Sequence, residues 1–349
     1  MKIVHIESGL GNQMLSYCEY LAIKKVNPQD ECYLETIVYD LPVCNDVICQ
    51  WYGYELNRIF GINAPNIREI LSEEQWTQVI CNINKSKFWE KNWNWPVYFC
   101  DAFKSSGLTL KNCRGDFEAS SSILQIGKND KLPFSYRIKQ TGLYERLRHQ
   151  YKVIRRDKCE SDDKDNLFFI TDEDCLLGQR LTFKNIGSGI EQIEKEVRES
   201  FVFPNFSDER NVQLMSELLN CESVAIHARR GDMLNVSGKY YRSGYFNRAV
   251  KLIKSRIQKP VFYFFCDPGS IEWCKQNLRI FGLDLSRDSI NFVDWNSGET
   301  SYCDMQLMST CKHNIITNSS FGWWGAYLNL NPGKITISPE YNINTTYHC

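Results

Sequence analysis

The feature that most narrows what this chain can become is the alternation of short apolar runs with amphipathic segments from residue 207 onward. A helical pattern over 208–220 leads to a strand at Ser223–His227, and one over 243–256 leads to the strand Val261–Cys266. Asp267-Pro268-Gly269 stops that strand, after which a helix resumes. Helix 301–311 then precedes strand His313–Thr317, a helix around Gly322–Leu330 and a last strand Lys334–Ser338. Strands that alternate with helices predict a mostly parallel sheet covered on both faces. The chain opens the same way: the strand Lys2–Ile6 is broken by Gly9-Leu10-Gly11, and Met14, Tyr17, Cys18, Leu21 and Ala22 then recur at helical spacing. Many nucleotide-binding α/β domains begin with a strand, a glycine turn and a helix. A length of 349 residues accommodates two such cores. The expected division is 1–206 and 207–349, with a hinge at Pro204 and the polar stretch Asn205–Glu209.

Between the two ends the pattern is weaker. Ile186–Ser200 reads as a helix, with Ile190, Ile193 and Val197 on one side and Glu191–Lys195 and Glu194–Arg198 paired four apart. Residues 83–100, rich in Trp, Asn and Lys, and the charged stretch 155–166 read as surface insertions. A formal charge of −1 supplies no global basic field for nucleic acid or an anionic membrane, so any bound anion needs a local site. The apolar run after Lys2 is too short for a secretory signal and is interrupted by Glu7 and Gly9. No stretch approaches the roughly 18–20 apolar residues of a membrane helix, so a cytoplasmic location is the default expectation, with peripheral attachment at the inner face of a membrane compatible with it. Fifteen cysteines, an odd number without a CxxC pair, argue for reduced thiols packed as small hydrophobes rather than a disulfide framework or a zinc ribbon.

Two motifs carry chemistry. In Ala225-Ile226-His227-Ala228-Arg229-Arg230-Gly231-Asp232 a buried strand delivers two arginines to its C-terminal end, where open α/β sheets bind ligands. The planar guanidinium suits a phosphate and stays charged at any working pH. Neighbours on an extended chain face opposite ways, so one arginine can reach a ligand while the other pairs with a carboxylate inside. The plainer reading is a structural ion pair with Asp232. In the second motif, Asn318-Ser319-Ser320-Phe321-Gly322-Trp323-Trp324-Gly325-Ala326, Asn and Ser side chains cap a helix whose free N–H groups can cradle a phosphate. An ordinary capped core helix is the alternative.

Together the motifs resemble the α-1,2-fucosyltransferase family. His-x-Arg-Arg-Gly-Asp, Asp304-x-x-Leu307-Met308-Ser309-x-Cys311 and Asn-Ser-Ser-Phe-x-Trp-Trp-Gly-Ala match its signatures in order, and Gly9-Leu10-Gly11-Asn12-Gln13-Met14 matches a fourth. Roughly residues 50–200 match nothing in that pattern, and Met233 stands where an aromatic residue is usual. The resemblance implies an α/β fold of GT-B type, two Rossmann-like domains facing a cleft, with GDP-fucose held mainly by the second. It implies Arg229 as the β-phosphate ligand, aided by Asn318, Ser319, Ser320 and the Phe321 N–H. His227 and Asp267 are implied at guanine and ribose. Asn12, with Gly11 and Gln13 in the same glycine turn, is implied to reach the donor from the other domain, and Arg230 and Asp304 to give internal support.

The implied reaction is an inverting displacement of GDP by the 2-hydroxyl of a terminal β-galactoside, with no cofactor or metal ion. Asp232 is the candidate base. The expected partners are GDP-fucose and a galactoside glycan, not nucleic acid. Two rival readings come from other features. The run Leu167–Ile170 leads into Asp172-Glu173-Asp174, a DxD that could place a divalent cation on a diphosphate after a strand. Trp89, Trp93 and Trp95 could stack on sugars in a non-catalytic carbohydrate-binding protein, although core packing is the commoner use of such residues.

Overall fold

A computed structural model describes residues 1–41, 52–91, 94–114, 171–178, 189–230, 240–267 and 269–339, together with 143, 144, 147, 150, 151, 167 and 168. It divides into two compact units: Met1–Lys131 with Asp162–Phe183 and Gly187–Val202, and Phe203–Cys349 with Leu132–Ser161 and Lys184–Ile186.

The first unit is a parallel α/β layer. Strand β1 (Lys2–His5) runs into helix α1 (Leu10–Val26), followed by β2 (Cys32–Glu35). Helices α2 (Leu56–Phe60), α3 (Glu73–Ser86) and α4 (Trp95–Ser105) come next. Strands β3 (Lys111–Asn112) and β4 (Cys175–Gly178) and helix α5 (Glu194–Ser200) complete it. The sheet order is β2-β1-β4-β3, all parallel. Ser72 and Gln75 form a reciprocal capping box that starts α3.

Two sequence expectations are corrected in this unit. Residues 83–100 are not a surface insertion: Phe88, Trp89, Trp95 and Phe99 lie in its hydrophobic core. Trp93 lies outside the described residues. The polar residues between these aromatics hid a helical face, because Trp95, Phe99, Ala102 and Phe103 return every three to four positions along α4. The DxD directly precedes β4, with Asp174 facing the Met1 amino group and Glu173 paired with Lys111, while Phe169 and Ile170 of the run before it lie outside the described residues. It therefore stands at the N-terminal edge of the sheet, opposite the edge where parallel sheets bind ligands. Among the described residues no group of three or more His, Cys, Asp and Glu is arranged to hold a metal ion.

The second unit follows the alternation closely. Asp208 accepts the Arg210 N–H (2.9 Å) and starts helix α6 (Glu209–Asn220). Strand β5 (Ser223–Ala228), helix α7 (Tyr245–Arg256), strand β6 (Val261–Cys266) and helix α8 (Ile271–Gln276) come next. Strand β7 (Ser289–Val293) has no counterpart in the sequence reading. It is an edge strand with only Val293 buried, so it lacks the apolar run that marked its neighbours. Helix α9 (Tyr302–Thr310), strand β8 (His313–Ile315), helix α10 (Ser320–Tyr327) and strand β9 (Thr336–Ile337) end the unit. Helix α10 begins at Ser320, two residues ahead of Gly322.

The sheet is wholly parallel in the order β7-β6-β5-β8-β9. Numbered within the unit this is 3-2-1-4-5, the doubly wound order. Val224, Ile226 and Ala228 face Phe246, Val250 and Ile253 of α7, while Ala225 and His227 point to the other side. The order reverses between β5 and β8. Chains leaving those two neighbours turn to opposite faces, which opens a crevice at their C-terminal ends.

No helix among the described residues is long and apolar enough to cross a membrane. The eleven described cysteines are free thiols, including Cys266 and Cys274 with sulfurs 3.6 Å apart.

Candidate functional site

Both sequence motifs end at this crevice. Strand β5 delivers His227, Arg229 and Arg230 at its C-terminal end, and β8 is followed by Thr317, Asn318 and the start of α10. Some ninety positions separate the two stretches in the chain, but the pairing of Val224 with His313 and of Ile226 with Ile315 makes them adjacent. Tyr245 ties this edge down by donating its hydroxyl to the Ile316 and Ile337 carbonyls (2.5 and 2.9 Å).

His227 is buried, and its ring lies against the first turn of α10, 5.8 Å from the Phe321 ring centroid. A Cβ on Gly322 would fall 2.4 Å from its Nδ1, so only glycine lets the helix approach this closely. Gly325, three residues on, does the same for α9: its Cβ would sit 2.9 Å from Met308 Cβ. The two glycines thus seat α10 between a strand and a helix. Trp323 and Trp324 are buried, Trp323 stacked on Tyr327 and Trp324 edge-on to both, which anchors the helix rather than walling an open pocket. At its C-terminal end Lys334 donates to the Ala326 and Asn329 carbonyls (2.8 and 3.1 Å), a cation at the negative end of the helix dipole. Ser319 is the N-cap residue, but its hydroxyl makes no capping bond, so this helix start is not closed by the side chain that sequence reasoning gave it. Asn318 is buried; Ser319, Ser320 and Phe321 are half-buried.

Burial pushes the His227 pKa down to about 4; the Arg229 charge acts in the same direction and Asp267 opposes them. The imidazole is therefore neutral at physiological pH, with one ring nitrogen able to donate and the other to accept. Among the described residues its Nδ1 has no hydrogen-bond partner.

The two arginines part, as neighbours at a strand end must. Arg230 passes to the α7 side, where its guanidinium lies 3.3 Å from the Trp273 ring centroid and 5.1 Å from that of Tyr241. Arg229 stays on the His227 side and donates from Nη1 to Asp267 Oδ1 (2.5 Å). The other oxygen of Asp267 accepts the backbone N–H of Arg230, and Tyr241 donates its hydroxyl to the Arg229 carbonyl (3.0 Å). The inward carboxylate partner thus belongs to Arg229, implied above as the phosphate ligand, whereas Arg230, implied to give internal support, rests on aromatic rings. Asp232 lies outside the described residues.

Asp304 is buried beneath the ends of β6 and β7. Its Oδ1 accepts from Asn296 Nδ2 (2.8 Å), and Asn296 is locked to Asn211, which also accepts from the Trp295 indole (2.7 Å). Burial pushes its pKa up to about 8, so the carboxyl holds its proton at neutral pH. The sequence gave no sign of this network, because Asn211, Trp295 and Asn296 belong to no motif. Asn296 also lines a cleft of about 200 Å³ with Asp267, Glu272 and Asp294.

Gly11, Asn12 and Gln13 lie in the first turn of α1, in the other unit. There the Leu10 N–H already donates to Glu55 Oε2 (3.1 Å), so a carboxylate of this unit occupies the start of α1. Gln13 is fully buried and spends its amide on the Ser8 and Gly53 carbonyls (both 2.9 Å) and the Glu55 N–H (2.9 Å). Asn12 is half-buried on the same turn. Nearby, His5 is stacked on Trp95, its Nδ1 bonded to Glu35 and its Nε2 3.4 Å from Glu7. Burial alone would lower its pKa, but the two carboxylates outweigh that and push it up to about 9.

A crevice that joins a neutral imidazole, a fixed guanidinium and a helix start that its N-cap hydroxyl does not close suits an anion carrying a polar ring. Residues 190–348 match the model of glycosyl transferase family 11. An alpha-1,2-colitosyltransferase of Escherichia coli is 35% identical over 153 residues, 42% of this chain and 49% of that protein. The human galactoside alpha-(1,2)-fucosyltransferase 1 is 33% identical over 110 residues, 30% of this chain and 28% of that protein. The O-antigen biosynthesis glycosyltransferase WbnK of E. coli is 32% identical over 128 residues, 35% and 39% respectively. The chain thus spans half or less of the length of the curated relatives it matches.

Proposed function

Because residues 190–348 of this chain belong to glycosyl transferase family 11, we propose that it transfers L-fucose from GDP-β-L-fucose to the 2-hydroxyl of a terminal β-galactoside, with inversion and without a metal ion. The observation that carries this reading is the convergence of the Arg229 strand end and the Asn318–Phe321 helix start on one crevice. Two of the relatives named above are α-1,2-transferases by name, one of fucose and one of colitose.

In this reading the diphosphate lies against Arg229 and the N–H groups that open α10, with Ser319 and Ser320 as further donors. As the C1–O bond to the β-phosphate breaks, negative charge grows on the departing oxygen. A guanidinium fixed in advance stabilises that charge more in the transition state than in the ground state. His227, neutral and buried beside the start of α10, is the residue we assign to the nucleoside. The galactosyl O2 attacks C1 from the opposite side and its proton passes to a base, for which Asp232 is the candidate. Asn12 contributes from the first unit, in the GT-B arrangement of two domains across a cleft. Free thiols at every described cysteine fit a cytoplasmic enzyme.

A second reading concerns only the sugar. The likeness to a colitosyltransferase favours testing a GDP-linked 3,6-dideoxyhexose beside GDP-fucose. The experiment is a screen for donor turnover with GDP-fucose, GDP-colitose, GDP-mannose, UDP-galactose and CMP-sialic acid against lactose and N-acetyllactosamine, with and without chelator. Turnover of GDP-fucose that survives excess chelator supports the proposal. Turnover of UDP-galactose alone, or activity abolished by chelator and restored by Mn²⁺, refutes it. Arg229→Ala is expected to lower kcat by at least about 10²-fold, the usual loss when one transition-state donor is removed; unchanged turnover would take Arg229 out of the mechanism.

A further inference from the structure

We infer that Asp267 is a positioning residue for Arg229 and not a ligand of the guanine base. The inference rests on the nucleotide reading above and concerns how that site is built.

Asp267 directly follows β6, beside the residue that follows β5, because Ala228 and Cys266 are register partners in the parallel ladder. That neighbourhood puts its carboxylate against the arginine loop. The two oxygens are divided: Oδ1 accepts from Arg229 Nη1 and Oδ2 accepts from the Arg230 backbone N–H. The side chain is 7% exposed and that of Arg229 18%. A carboxylate reads guanine by presenting both oxygens in one plane to N1–H and the 2-amino group. Here each oxygen already takes a donor from the loop, and a charged pair this buried is costly to separate.

The arrangement has a chemical consequence. Arg229 carries a long side chain with many accessible rotamers. Asp267 fixes its direction before any ligand arrives and also fixes the backbone one residue further on. A guanidinium held in this way stabilises developing charge without reorganising, whereas a misplacement of about 1 Å at a reacting centre costs on the order of 10²-fold in rate. Asp267 also brings a negative charge to within one residue's reach of the diphosphate. Its removal therefore has opposed effects, less repulsion of the diphosphate against a guanidinium no longer held in place, and the loss of placement falls most heavily on the transition state, where misalignment at the reacting centre costs most.

The test compares wild type with Asp267→Asn. GDP and inosine diphosphate, which lacks only the 2-amino group of guanine, are titrated calorimetrically, and kcat and KM are measured with GDP-fucose. The asparagine is nearly isosteric, but its amide cannot accept from both donors. Expected are a loss in kcat of about 10²-fold, a change in GDP affinity of less than tenfold, and a ratio of GDP to inosine diphosphate affinity equal to that of wild type. A ratio that collapses to one in the variant means that Asp267 reads the 2-amino group and overturns the inference, as does an unchanged kcat. Wild type that fails to bind GDP at all strikes the nucleotide reading instead, so the two failures are distinct. Should Asp267→Asn melt well below wild type, a crystal structure of the wild-type chain with GDP decides. Asp267 on Arg229 supports the inference, and Asp267 on the guanine edge overturns it.

Discussion

Replacing Gly322 with alanine tests how closely α10 is set against β5. The new Cβ would lie 2.4 Å from His227 Nδ1, 3.0 Å from Cγ and 3.2 Å from Cε1. Ordinary contact is about 3.5 Å or more between such atoms, so the imidazole or the helix has to shift by roughly 1 Å. Both are buried, since His227 is 4% exposed and α10 is wedged by Trp323 and Trp324. Overpacking of this kind costs about 1–3 kcal/mol. Alanine recovers up to about 1 kcal/mol in helix propensity. The balance is a net loss of about 1 kcal/mol, or roughly 2–4 °C in melting temperature for a unit of this size. The shift also breaks any hydrogen bond that His227 makes to the nucleoside, a loss of about 1 kcal/mol and so of roughly five- to tenfold in GDP affinity. Scanning calorimetry and GDP titration measure the two effects. The double variant with His227→Ala removes the clash, and its melting temperature should show positive coupling between the substitutions. A Gly322→Ala protein that melts at or above wild type and binds GDP equally well would refute the steric argument.

Two further predictions concern proton linkage. Because burial raises the Asp304 pKa to about 8, the folded chain keeps a proton that the unfolded chain releases near the ordinary aspartate value of 3.8. Its contribution to stability is present below 3.8 and is lost as pH rises through 8. Asp304→Asn, which still accepts from Asn296, should gain stability over wild type progressively between pH 5 and pH 8; urea midpoints that move in parallel across that range would contradict this. His227 works in the opposite sense. Its folded pKa of about 4 lies below the ordinary 6.5, so the stability it contributes is present above 6.5 and is lost as pH falls towards 4. His5, raised to about 9, contributes below 6.5 and loses that contribution as pH rises through 9. A denaturation midpoint that falls between pH 6.5 and 4, with the fall reduced in His227→Asn, is the expected result; an equal slope in the variant would exclude His227 as its cause.

The glycine turn after β1 shows what a local pattern leaves out. Strand, glycine turn and helix suggest a nucleotide cradle, but Glu55, more than forty residues away in the sequence, already holds the Leu10 N–H. In the second unit the same signature leads to the candidate site, where the Ser319 hydroxyl makes no capping bond at the helix start after β8. The difference lies in a partner from elsewhere in the chain, which no window of sequence contains.

By itself the sequence determined what each short stretch needs. Six successive apolar residues at Val261–Cys266 must be covered on both faces, and the apolar positions of 243–256 demand a helix with one buried side. Two arginines after a buried strand require something anionic nearby. These properties follow from burial and backbone geometry over a few residues, so they are legible locally. Tertiary structure alone decided which stretches meet. The order β7-β6-β5-β8-β9 brings the end of β8 beside the end of β5, assigns Asp267 to Arg229 rather than to its neighbour, and requires Gly322 where His227 packs. Strand order depends on how whole layers of helix and sheet cover one another, and that is a property of the assembled unit.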